Sequence, residues 1–186
     1  MRVLSPETPP EVFMKGLIDA LAKENVSVSD EACMYVVRVM VAALSGTHLL
    51  QPGEPMAIPL LAAIDVRGRE VKRVQMRRVG DSALLLCGWW WERTYAPHGP
   101  DLAYYTDIGR AAYRFLAVTP GGDPLAKELS WKFRRLTDAL ARMAGATGSF
   151  DDEDVCRVFR LWMASNSGRA KDILAQHGVM VGGPLH

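Results

Sequence analysis

One segment of the chain places two tyrosines close to an aspartate and an arginine. Tyr104 and Tyr105 precede Asp107 and Arg110 in a stretch with helical periodicity. Phenol, carboxylate and guanidinium groups together can bind a small anion or carry out acid–base chemistry. We combine them with the charged groups of two other apolar segments into one candidate ligand pocket: Arg38, Asp81, Tyr104, Tyr105, Asp107 and Arg110. The alternative is a tightly packed helix whose tyrosine hydroxyls satisfy buried polar groups.

Arg38 is the one charge inside an otherwise apolar helix predicted over residues 31–45. An isolated buried guanidinium would be costly, so we expect a carboxylate partner or a contact with helix-terminal carbonyls. Asp81 is the favoured partner because Gly80 gives the chain freedom to bring it inward. On this interpretation, Arg38→Met alone would destabilise the fold by roughly 3–5 kcal/mol, since it would strand a buried carboxylate.

A second candidate is a basic ridge between Arg67 and Arg78. Arg69, Arg73 and Arg77 are spaced four residues apart and so share one face of a predicted helix. Such a ridge could bind phosphates of a nucleic acid or an acidic partner. The alternative is a solvated face, which we favour because the formal net charge is only +1 and no aromatic residues interleave with the ridge.

Three consecutive tryptophans form the candidate partner-contact surface. If they are helical, they span about 200° of the helix, so they cannot all face one core. Tryptophan is enriched at the energetic centres of interfaces. We therefore predict that a protein partner, or a second copy of the chain, contacts Trp89, Trp90, Trp91 and Tyr95. A wholly intramolecular aromatic core is the alternative.

No metal site and no cofactor are predicted. The three cysteines, Cys33, Cys87 and Cys156, are far apart and lie in apolar runs, which is typical of reduced core thiols. The four histidines show no metal-ligand spacing. The acidic run 151–154 lacks the alternating ligands of a calcium loop and fits the start of a helix. We find no leader and no membrane-spanning segment, and expect a cytoplasmic protein.

The apolar periodicity predicts an all-α fold. The predicted helices cover residues 11–24, 31–45, 56–64, 70–79, 82–93, 101–118, 125–144 and 151–165, with a short one over 169–176. Gly80-Asp81 would be a kink or a cap between two of them. We predict a compact single-domain bundle of seven or eight helices over residues 1–186, with an extended arm (1–9) and a C-terminal tail (178–186).

Two motifs carry a resemblance. Gly80-Asp81 begins an apolar helix that contains Gly88, and Tyr104-Tyr105 begins a helix with the pattern Tyr-Tyr-x-x-Ile-Gly-x-x-Ala-Tyr. This pair resembles a family of uncharacterised bacterial all-helical proteins over residues 30–118, except at Trp89-Trp90, where phenylalanines are usual. The resemblance implies a helical fold and no catalytic residue.

The small residues of the second motif predict close helix packing, with Gly88 opposite Gly109. With 49% hydrophobic residues and no recognisable catalytic motif, the chain is predicted to be a non-enzymatic helical interaction protein, with a homodimer as one form. A ligand-binding or catalytic bundle that uses the tyrosine pocket remains an alternative. A weak binder of nucleic acid or of an acidic partner through 67–78 is another.

Overall fold

The computed structural model describes residues 8–46, 55–91, 102–147 and 152–165, together with most of 171–182. Within these residues the chain forms seven long helices, a further short helical stretch at 173–175, and no strand, which confirms the all-α prediction. The helices are α1 (Pro9–Lys23), α2 (Asp30–Leu44), α3 (Ala57–Asp65), α4 (Arg69–Cys87), α5 (Leu102–Val118), α6 (Pro124–Thr147) and α7 (Asp152–Ser165). Residues 1–7 of the predicted arm, residues 183–186 of the predicted tail, and Tyr95 lie outside the described residues.

Helix boundaries follow from local capping. At the start of α1, the backbone N–H of Thr8 donates to the Glu11 carboxylate at 2.7 Å, as in a capping box. Ser29 caps α2 by accepting from the backbone N–H of Ala32 at 3.2 Å. The Ser29 N–H also donates to Glu128 of α6 at 2.9 Å. The same cap therefore fixes the start of α2 against α6.

The main core lies where α4, α5 and α6 pack together, with α1 and α2 covering it. Its fully buried side chains include Tyr113 of α5 and Phe133, Leu136 and Leu140 of α6. The apolar character of α2 is explained by this core, because seven of its fifteen residues are buried. An ion pair between Arg142 of α6 and Glu24, at 2.5 Å, secures the end of α1.

A second, smaller cluster of buried side chains adjoins the end of α6. Its members come from the segment after α4, from α6, from α7 and from residues near the C-terminus: Trp91, Ala141, Val158, Trp162, Ile173 and Leu174. In the described part of the chain, no helix is long and apolar enough to cross a membrane.

The predicted break at Gly80-Asp81 is wrong, because α4 runs through it without interruption. Gly80 keeps helical geometry and serves packing instead. A Cβ at this position would lie 2.9 Å from the ring of Tyr113, so only glycine lets α5 approach this closely. Asp81 is therefore a mid-helix residue, and its side chain is available for contacts across the helix interface.

Gly109 also allows close approach, but not to Gly88 as predicted. A Cβ on Gly109 would lie 2.3 Å from the ring of Phe133 and 2.8 Å from Cβ of Ala83. Gly88 lies at the end of α4 and faces Leu140 of α6. The two glycines thus serve two different helix contacts.

Candidate functional site

The most closely connected polar side chains join α2, α4 and α5. The hydroxyl of Tyr35 donates to Oδ1 of Asp81 at 2.5 Å, and the hydroxyl of Tyr113 donates to the same oxygen at 2.7 Å. Burial raises the pKa of both tyrosines well above the usual range, and the Asp81 carboxylate adds to this effect. Both phenols are therefore neutral donors at physiological pH, and the cluster is a buried hydrogen-bond network.

Arg38 does not take part in this network, so the predicted pairing with Asp81 is wrong. Arg38 lies on the exposed side of α2, and its guanidinium sits 5.8 Å from the ring centre of Tyr35. The two phenols occupy the place expected for the guanidinium. This satisfies the carboxylate without burying a second long charged side chain.

The basic ridge of α4 is used within the chain. Arg77 forms an ion pair with Asp123 at 2.5 Å, and Arg73 donates to the hydroxyl of Thr119 at 2.9 Å. Arg69 reaches the same loop, with Nη2 3.3 Å from where a Cβ on Gly121 would stand. Arg73 and Arg77 thus fix the α5–α6 loop against α4 instead of forming a purely solvated face, and the partner site on this ridge stays a prediction.

Asp123 combines the ion pair with a capping role. It accepts from the backbone N–H of Ala126 at 3.1 Å at the start of α6. Partial burial acts to raise its pKa, but the Ala126 N–H and the Arg77 guanidinium outweigh this, and the pKa lies below its ordinary value. A carboxylate with a lowered pKa stabilises the fold above its unfolded pKa, and this contribution is lost as the pH falls through the folded pKa.

We therefore expect Asp123→Asn to lower the free energy of unfolding by roughly 1 kcal/mol at neutral pH. The difference from wild type should shrink as the pH falls below the ordinary range of an aspartate, because both proteins then carry a neutral group. Urea unfolding at pH 7 and at about pH 3 measures this. Asp19→Asn, at an exposed position of α1, is the control. A difference that stays constant with pH would contradict the assignment.

The six residues of the predicted ligand pocket are not brought together. The hydroxyl of Tyr104 accepts from the backbone N–H of Ala57 at 2.9 Å, and so caps α3. Along α5 this position is about 13 Å from Tyr113, the partner of Asp81. Asp107 and Arg110 are exposed, as is Arg38. The geometry therefore matches the alternative, in which tyrosine hydroxyls satisfy backbone and buried groups.

Tyr105 is also engaged in packing. Its ring meets that of Tyr104 edge-on, with 5.1 Å between centroids. Burial raises its pKa, with smaller contributions from Tyr104 and Cys87. Among the described residues, no group of three or more His, Cys, Asp or Glu side chains is arranged to hold a metal ion.

The three tryptophans do not continue α4, which ends at Cys87: Trp89 and Trp90 lie in a turn, and Trp91 has 3₁₀ geometry. Trp91 is buried in the second cluster, whereas Trp89 and Trp90 are half-buried against the main core. Trp89 meets Phe13 of α1 edge-on at 5.7 Å. The turn after Cys87 thus divides the triplet between two cores of the same chain, which no helical projection could reveal.

Exposed apolar side chains instead mark α3 and the start of α4. Ile58, Leu61 and Ile64 point outward on α3, and Leu61 is 59% exposed. Val71 and Val74 are exposed on the first turns of α4. Only residues 66–68 separate the end of α3 from the start of α4. We call these five residues the α3–α4 apolar face.

Two kinds of functional residue escaped the sequence analysis. Tyr35 and Tyr113 were outside the candidate pocket, although a carboxylate within an apolar helical segment needs donors and Tyr35 is the one phenol of α2. Trp131 was also missed. It lies between Lys127 and Arg135 on α6, one turn from each. This interleaving of aromatic and basic residues is a signal that the sequence did contain.

Comparisons with protein-family models, curated proteins and solved structures find no match to this chain. The resemblance to bacterial helical proteins, based on the Gly-Asp and Tyr-Tyr motifs, stays a prediction.

Proposed function

We propose that the protein is a non-enzymatic interaction protein that acts as a homodimer through the α3–α4 apolar face. The main observation behind this proposal is that the side chains of Ile58, Leu61 and Ile64 are exposed together on α3, a helix whose single charged residue is Asp65. Exposed apolar side chains grouped in this way are typical of protein interfaces, whereas single ones are ordinary.

The charges around this face favour a second copy of the chain. Asp65 ends α3, and Arg67, Arg69, Glu70, Lys72 and Arg73 follow it into the first turns of α4. Cations outnumber carboxylates on this rim, but two copies related by a twofold axis can still pair Asp65 and Glu70 of one copy with cations of the other. Such self-complementarity is what a closed dimer requires. The opposite side of α3 is not available to a partner, because Met56 and Ala63 are buried in the chain's own core.

The proposal predicts that Leu61→Glu converts a dimer to a monomer. A carboxylate at the centre of the interface would lose its solvation without a partner, which costs several kcal/mol per ion and is enough to weaken association at least tenfold. Sedimentation equilibrium over a range of protein concentrations measures this. At concentrations low enough for the wild type to be monomeric, the variant should unfold with the wild-type midpoint, because Leu61 is exposed in the single chain.

Ile18→Glu is the matched control, since Ile18 is 53% exposed on α1, away from this face. It should leave the association constant unchanged. A wild-type protein that sediments as a monomer at every concentration would refute the proposal. A dimer that both variants weaken equally would place the interface elsewhere.

A further inference from the structure

The outer surface formed by α5 and α6 exposes an indole in the middle of a helix. Trp131 is 80% exposed, and within the described part of α6 no other large apolar side chain is exposed. Tryptophan is a large apolar residue that folded chains normally cover. Its position here is set by the helix, because Leu129 and Phe133 on either side of it point into the core.

Basic side chains surround this indole. Lys127 and Arg135 lie one turn before and one turn after it on α6, about 6 Å away along the helix axis. On α5, the backbone of exposed Arg110 meets α6 at the residue before Trp131, since its carbonyl oxygen accepts from the Ser130 hydroxyl at 3.1 Å. We call the following residues the Trp131 face: Arg110, Arg114, Lys127, Trp131, Arg134 and Arg135.

All five cations are exposed, and none forms an ion pair with another described residue. The carboxylates nearest to them along the two helices are Asp107, exposed on α5, and Asp138, part-buried on α6 one turn after Arg134 and Arg135. Glu128 points elsewhere, to Lys132 and Ser29. The face therefore keeps a clear positive excess, although the whole chain is near neutral.

We infer that the Trp131 face binds single-stranded nucleic acid, with a base stacked on the indole and the neighbouring phosphates held by the arginines and Lys127. Stacking platforms flanked by cations are how sequence-tolerant single-strand binding is achieved. Cations lie on α5 and on α6, so the phosphate backbone of a nucleic-acid strand can bind along either helix while one base stacks on the indole.

The composition of the face argues against two other occupants. A lipid surface or an apolar helix would need further exposed apolar side chains around the indole, and the described part of α6 offers none. An acidic peptide would match the charges but would leave the flat ring without a stacking partner.

The test uses the full chain and a fluorescein-labelled oligothymidylate of about 16 nucleotides, the upper end of the range for one small domain. Fluorescence anisotropy at low salt should show binding that weakens steeply as salt is added. Trp131→Leu, which keeps apolar bulk but removes the aromatic face, should weaken binding roughly 5- to 150-fold. Trp131→Phe should retain most of the affinity.

Charge variants supply the second readout. Arg134→Gln should lower the slope of log affinity against log salt by about 0.7, the value for one phosphate contact on a single strand. Arg38→Gln, an exposed cation on α2, should leave the slope unchanged. No binding at low salt would overturn the inference, as would equal losses from Arg38→Gln and Arg134→Gln. Wild-type affinity in Trp131→Leu, or equal binding of polyglutamate, would also overturn it.

Discussion

Gly109→Ala should lower the free energy of unfolding by about 3 kcal/mol, because the added methyl group has no room. Its carbon would stand 2.3 Å from the ring of Phe133, a side chain with no exposed surface, and 2.8 Å from Ala83. The methyl group must displace α5 from both α4 and α6. Chemical denaturation of the wild type and the variant, fitted with one shared m-value, gives the difference in the free energy of unfolding.

Gly145→Ala is the matched control for this substitution. Gly145 lies in α6, and nothing stands within 4 Å of where its Cβ would be. Alanine there should raise stability by up to about 1 kcal/mol through helix propensity. Combining Gly109→Ala with Phe133→Leu should recover part of the loss, so that the two changes are not additive. Equal effects of alanine at positions 109 and 145 would show that the helices are not in close contact at Gly109.

Removal of the Asp81 carboxylate should be the most damaging polar change. Asp81→Ala leaves two buried phenols without their acceptor, and we expect a loss of about 3–5 kcal/mol. Tyr113→Phe should cost about 1.5–3 kcal/mol, as expected for a hydrogen bond to a charged group. Asp81→Asn should fall between these variants and wild type, since an amide oxygen can still accept.

A double-mutant cycle between Asp81→Ala and Tyr113→Phe separates the pairwise contribution. The coupling energy should be clearly above the error of the measurement. In contrast, Arg38→Met should change the free energy of unfolding by less than about 1 kcal/mol, because Arg38 is exposed and contacts the ring of Tyr35. This reverses the sequence-based expectation that Arg38→Met is severe. Additive losses in the cycle, together with a severe Arg38→Met, would mean that Arg38 holds the carboxylate.

The sequence predicted the helices well because their signals are local. Apolar periodicity placed most ends within a few residues of their observed positions. The break at Gly80 was predicted from local rules as well, and it is wrong because a contact distant in sequence, with the ring of Tyr113, explains that glycine.

The candidate sites were harder to predict, because side chains on one helix face have partners that local spacing does not reveal. Arg73 and Arg77 form a regular ridge, but whether a loop or solvent meets them depends on the path between α5 and α6. Leu61 looks like a core residue by type, and its exposure depends on which side of α3 the bundle covers.

Amide hydrogen exchange measured above and below the dissociation concentration tests the central proposal, dimerisation through the α3–α4 apolar face, most directly. The proposal predicts slower exchange at high concentration in α3 and the first turns of α4, with α5 and the middle of α6 unchanged. The same protection should be absent in Leu61→Glu. Exchange in α3 that is independent of concentration in a protein that does self-associate, or protection confined to another helix, would contradict it.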